Sequence, residues 1–77
     1  MEKDKSRHYK SYIKLGNNIR NLRNDKKLSQ EELAFQISSA RNYIGCIERA
    51  EKVPSLATVL DIADALGCHV SDLFKNI

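Results

Sequence analysis

The chain is poor in the residues that punctuate a fold and in those that do chemistry. Among its 77 residues are one proline, three glycines, two cysteines and two histidines. His8 and His69 have no neighbours at metal-ligand spacing, and no Ser/His/Asp or Cys/His arrangement suited to catalysis is evident. Neither an enzyme, a cofactor nor a metal centre is therefore expected. Cys46 and Cys68 do not form a ligand set with the nearby His69. One disulfide between them is open to the chain, but it shows no apolar signal region, so free thiols and a cytoplasmic setting are the expectation. No apolar run approaches the roughly 20 residues a helix needs to cross a bilayer, and no membrane partner is expected.

What remains is a short, mixed, charged sequence. Seventy-seven residues make one domain with a small core, and a hydrophobic content of 42% suffices for a helical bundle without staples. The net charge of +3 hides an asymmetry. Residues 1–52 hold 12 Lys/Arg against 7 Asp/Glu, whereas residues 53–77 hold one Lys and three Asp. A basic front and a mildly acidic back suit a molecule that meets phosphate with one side. An ordinary solvated surface gives the same count, so charge alone does not decide.

Residues 1–11 are polar and basic, with no apolar stripe, and read as a flexible arm; residues 12–77 read as the folded domain. The arm is either solvated or laid along a nucleic-acid backbone. A first helix is predicted from about Tyr12 to Lys26, with Leu15, Ile19 and Leu22 as its core face and Lys26 and Lys27 at its cation-favouring end.

The stretch from Leu28 to Arg49 is the most specific part of the chain. Ser29 and Glu32 stand at capping-box spacing, and Leu33, Ala34 and Ile37 mark one helical face. Phe35 lies off that face and is expected under the first or fourth helix. Ser38 and Ser39 interrupt this second helix. A third is predicted from Arg41, capped at Ser39 or the Ala40 position, with Ile44 and Ile47 inward and Arg41, Asn42 and Tyr43 exposed in its first turn. Two short helices joined this tightly suit a helix-turn-helix, whose second helix enters the major groove by its N-terminal end. Arg reads guanine, Asn reads adenine or holds a phosphate, and Tyr donates to phosphate or packs on a thymine methyl. Gly45 costs about 1 kcal/mol of helix propensity relative to Ala, so something nearby should compensate. Cys46 reads as a half-buried small residue.

Pro54 sets a boundary and Ser55 can cap a fourth helix, with Leu56, Val59, Leu60, Ala63 and Leu66 as its stripe, Ile62 widening it and Gly67 ending it. Ser71 can cap a fifth, holding Leu73 and Phe74. Ile62, Val70, Phe74 and Ile77 form either a dimer face or the closure of the core under the first helix.

The blocks Leu28–Ala34, Ile44, Ile47-Glu48-Arg49, Pro54-Ser55-Leu56 and Ile62–Gly67 resemble, in register, the Cro/repressor type of helix-turn-helix regulators, the xenobiotic-response-element family. Arg41-Asn42-Tyr43-Ile44 followed by Ile47-Glu48-Arg49 most resembles the controller proteins of restriction–modification systems. The resemblance implies an all-α, compact five-helix bundle, a lambda-repressor-like DNA-binding domain with its helix-turn-helix at the second and third helices. It implies that Arg23 pairs with Glu48, that Gln30 holds a phosphate, and that Arg49 and Lys52 clamp the backbone. Ser39 joins Arg41, Asn42 and Tyr43 as an expected DNA contact. The family has a glycine at Ser38, a cap at Ala40 and a terminating glycine at Ala50, so this chain departs from it at both ends of the recognition helix.

The reading is a small transcriptional regulator binding a palindromic operator on double-stranded DNA, as a homodimer and without catalysis. Two rivals stand beside it. One is an antitoxin-type regulator that also holds a partner protein. The other is a protein-interaction domain of the same fold that no longer binds DNA.

Overall fold

The computed structural model describes the backbone of residues 2–77 and side chains from residue 7 onward. Five helices follow one another: α1 (Glu2–Asp25), α2 (Gln30–Gln36), α3 (Tyr43–Glu48), α4 (Leu56–Leu66) and α5 (Val70–Leu73). Among the described residues there is no strand, and no helix is long and apolar enough to cross a membrane. The all-α five-helix reading stands.

The core is aliphatic. Ile19 of α1, Leu33 of α2, Ile44 and Ile47 of α3, Ile62 and Leu66 of α4, and Leu73 of α5 are all but fully buried, so each helix contributes to one cluster. Burying each such side chain is worth about 1.5–3 kcal/mol relative to exposure. Leu15 and Ile19 are buried and Leu22 is half-buried, which gives α1 its predicted face.

Helix α1 begins well before Tyr12. Glu, Lys and Arg are good helix formers, and neither Gly nor Pro stands before Gly16 to stop the helix. The helix is broken at His8 (φ −123°, ψ 16°), whose ring meets Tyr12 edge-on at 6.3 Å. Gly16 permits a close approach of α1 to the end of α3. A methyl group there would lie 2.6 Å from the Glu48 carbonyl oxygen and 2.7 Å from that of Ile47, at the end of α3. The Asn18 amide donates to the carbonyls of Leu73 (2.9 Å) and Lys75 (3.0 Å), closing the C-terminal segment onto α1.

Four helix ends share one device. After α1, α2, α3 and α4 the chain turns through a residue with left-handed backbone: Lys27 (φ 59°), Ser38 (φ 56°), Ala50 (φ 60°) and Gly67 (φ 66°). In each case the next N–H reaches back to a carbonyl of the last turn: Leu28 to Arg23, Ser39 to Ala34, Glu51 to Cys46 and Cys68 to Ala63, at 2.8–3.1 Å. Only the last uses glycine. The sequence departures at Ser38 and Ala50 therefore leave the turns intact and place side chains in a strained conformation.

In α4, Ser55 caps through Thr58 N–H (3.1 Å), as its position predicts. The stripe is rotated from the expected one. Val59, Ile62, Ala63 and Leu66 are buried, whereas Leu56 is 68% and Leu60 46% exposed. At about 100° per residue the buried four share one arc, and Leu56 and Leu60 fall past its edge. Ile62 therefore cannot belong to a dimer face, since it lies on the core arc with no exposed surface. Ser71 does not cap α5. His69 holds the cap position, its N–H donating to Asp72 Oδ2 at 3.1 Å.

Candidate nucleic-acid interface

Helix α2 starts as its sequence dictates. The Ser29 hydroxyl accepts from Glu32 N–H (2.9 Å), and Glu32 Oε1 accepts from Ser29 N–H (2.7 Å). Leu33 and Ala34 turn inward. Phe35 does not pack under another helix; it is 83% exposed, because the buried arc of α2 runs through its neighbours and leaves position 35 outward.

Helix α3 begins at Tyr43, two residues later than predicted. Asn42 occupies the cap position with α-like backbone (φ −92°, ψ −1°) and no capping side-chain bond. Ala40 has no side-chain acceptor to offer. The Ser39 hydroxyl is turned to the Ala40 carbonyl (3.3 Å), so Ser39 does not cap α3 either. Arg41 and Asn42 thus stand exposed in the turn before the helix, while Tyr43 is half-buried and packs against the core. Of the three, only Arg41 and Asn42 are fully at the surface.

The other end of α3 is held tightly. Glu48 has a fully buried side chain, which accepts from Arg23 Nε (2.7 Å) and Nη2 (3.1 Å), Gln30 Nε2 (2.9 Å) and Arg20 Nε (3.3 Å). Burial pushes its pKa up, but hydrogen bonds from Arg23, Gln30 and Arg20, together with the Arg23 charge, leave it below the ordinary carboxylate value. Arg23 Nη1 also donates to the Leu28 carbonyl at 2.7 Å. One guanidinium therefore joins α1, the α1–α2 turn and α3. Among the described residues no buried side-chain nitrogen or oxygen lacks a partner.

Gln30 is turned inward to this cluster. A methyl group on Gly45 would lie 3.2 Å from Gln30 Oε1 and 2.9 Å from Arg49 Nη1, so both side chains cover the glycine. That close cover offsets the helix-propensity cost of Gly45. Arg49 is exposed and forks onto Glu51, with Lys52 exposed beyond it. Arg41 Nη2 stands 3.6 Å from Glu31 Oε1 across the turn. Cys46 and Cys68 are free thiols, and burial pushes Cys68 above its ordinary pKa.

The structure thus leaves Arg41, Asn42, Arg49 and Lys52 exposed at the two ends of α3, with half-buried Gln30 turned down to Arg23 and Glu48 beneath. Arg20 was not singled out by the sequence reading, although it stands three residues before Arg23 on the same face of α1. A helix-turn-helix profile matches residues 19–73, from the middle of α1 through α5. The chain belongs to the helix-turn-helix family. Within that family it is 39% identical over 66 residues to the control protein C.MunI of Mycoplasma sp, covering 84% of this chain and 89% of that one. It is 42% identical to the control protein C.SmaI of Serratia marcescens, covering 80% of this chain and 74% of that one. The crystal structure of the restriction-modification controller protein C.AhdI from Aeromonas hydrophila superposes with a TM-score of 0.84 at 41% identity, covering 88% of this chain and 99% of that one. The helix-turn-helix of this chain is α2 and α3, and its fold is that of a DNA-binding transcriptional regulator.

Proposed function

We propose that the protein is a sequence-specific double-stranded-DNA-binding regulator of the restriction–modification controller type, acting as a homodimer on a palindromic operator. Helix α3 is its recognition helix. Arg41 and Asn42 read base edges, helped by the exposed part of Tyr43, while Gln30, Ser39, Arg49 and Lys52 meet phosphates. No catalytic step belongs to this reading.

The observation that carries it is the contrast along α3. Its C-terminal end is locked by the buried Glu48 cluster, and its N-terminal end presents an exposed arginine and asparagine that the core does not use. Exposed Phe74 and Ile77 join Val53, Leu56 and Tyr12 around an apolar groove of about 270 Å³, which supports pairing of two copies on that side. Val70, the remaining candidate, is half-buried on α5 and packs against the core. The molecule measures 32 × 25 × 20 Å, a size that lets two adjacent copies present α3 at successive major grooves about 34 Å apart.

The test is selection of bound duplexes from a random pool at physiological salt. Enrichment of a symmetric site, lost in Arg41→Ala and Asn42→Ala with helicity unchanged, is the expected result. A pool that stays random, with binding that vanishes as salt rises, would overturn sequence-specific recognition.

A further inference from the structure

Two arginines assigned above to DNA already face carboxylates in the unbound protein, and they do so unequally. Arg49 donates from Nε and Nη2 to the two oxygens of Glu51, at 3.0 and 3.2 Å. This two-point grip is the geometry a guanidinium also uses for phosphate. Glu51 is held there by the backbone. Ala50 turns the chain in a left-handed conformation, and the Glu51 N–H is bonded to the Cys46 carbonyl at 2.8 Å. The hydrogen bond and charge of Glu51 raise the Arg49 pKa. Arg41, by contrast, is 3.6 Å from Glu31, beyond hydrogen-bond length.

We propose that Glu51 competes with DNA phosphate for the Arg49 guanidinium and so sets the affinity and salt dependence of the complex. The proposal rests on the DNA-binding reading above. A phosphate that engages Arg49 through Nε and Nη2 must displace the carboxylate from the same two donors. The displaced carboxylate stays on the adjoining turn, within a Debye length of the phosphate it yielded to. Ordinarily a cation that neutralises a phosphate releases close to one counterion, and binding weakens with salt accordingly. Here the guanidinium arrives with its charge already offset by a carboxylate that stays nearby, so it brings less net positive charge to the phosphate. Arg49 therefore contributes less to the salt slope while Glu51 is present.

The experiment measures anisotropy of a labelled mixed-sequence duplex across a salt series for the wild type, Glu51→Gln, Arg49→Ala and the double variant. Both residues are exposed, and circular dichroism will confirm that each variant keeps its helices. Glu51→Gln is expected to bind on the order of threefold more tightly at low salt, the scale of an exposed ion pair. Its salt slope should steepen by up to about one. In the Arg49→Ala background the same substitution should lose most of that gain. Glu31→Gln should give a smaller gain than Glu51→Gln, because its pair has the longer contact. If Glu51→Gln matches a wild type that does bind duplex, the proposal is wrong and the DNA-binding reading stands. If the gain persists undiminished without Arg49, Glu51 merely repels DNA and the competition is overturned. If no form binds duplex even at low salt, the DNA-binding reading fails and the proposal falls with it.

Discussion

Glu48 is the residue on which the most geometry depends. Its carboxylate is fully buried, and its charge is tolerated because Arg23, Gln30 and Arg20 all donate to it. Removing one partner of a buried pair leaves an uncompensated charge, so Arg23→Ala should destabilise the fold by about 3–5 kcal/mol in urea unfolding. Replacing Arg23 and Glu48 together by methionine should recover much of that loss, because no lone charge then remains. The pH dependence follows from the lowered pKa of Glu48. Above the ordinary glutamate value of 4.5 both folded and unfolded chains carry the charge, and the stabilisation is fully present. As pH falls below that value the unfolded chain takes up the proton first, and stability declines until the folded carboxyl is protonated too. Glu48→Gln should flatten this acid limb of the stability curve, and an unchanged limb would show that other carboxylates set it.

At the scale of the element, helix ends divide what was legible from what was not. The Ser29–Glu32 box and the Ser55 cap were readable because one side chain at a fixed offset makes each bond. Gly67 was readable because glycine adopts left-handed backbone without cost. Lys27, Ser38 and Ala50 do the same work with side chains that give no such signal, and the start of α3 slipped to Tyr43 because no side chain caps it. The rotation of the α4 stripe was hidden for another reason. Eight apolar residues on eleven positions cover more than one face, and only the neighbours choose which is buried. Ser38 offers the direct check. It is exposed, so Ser38→Gly removes left-handed strain without opening a cavity. It should stabilise the protein by about 1 kcal/mol, read as a higher thermal midpoint, with recognition unchanged.

For the whole molecule, the C-terminal segment meets α1 on the side where the apolar surface lies. Asn18 ties the C-terminal segment to α1, and Phe74 and Ile77 then sit beside Tyr12 and Leu56. The sequence grouped Phe74 and Ile77, which are exposed, with Ile62, which the core consumes, and missed Leu56, which it does not. Phe74→Ser at micromolar concentration should shift sedimentation from dimer towards monomer and weaken operator binding, while leaving the helical signal near that of the wild type. Sedimentation unaffected by that change would remove Phe74 from the dimer contact. Leu56→Ser alters another residue lining the same groove and should have the same effect.

The packing around Gly16 has a mechanical consequence. The last carbonyls of α3 rest against α1 at that glycine, and the Glu48 side chain is gripped beside them. The opposite end of α3 has no capping side chain, and the exposed Arg41 and Asn42 stand in the turn just ahead of it, while Tyr43 and Ile44 in its first turn pack on the core. The helix is thus seated at both ends, and the two exposed side chains overhang it. Under the proposed function, a shift of α3 at the Arg23–Glu48 clamp carries that overhang with it, so the interior of the bundle governs which bases it meets.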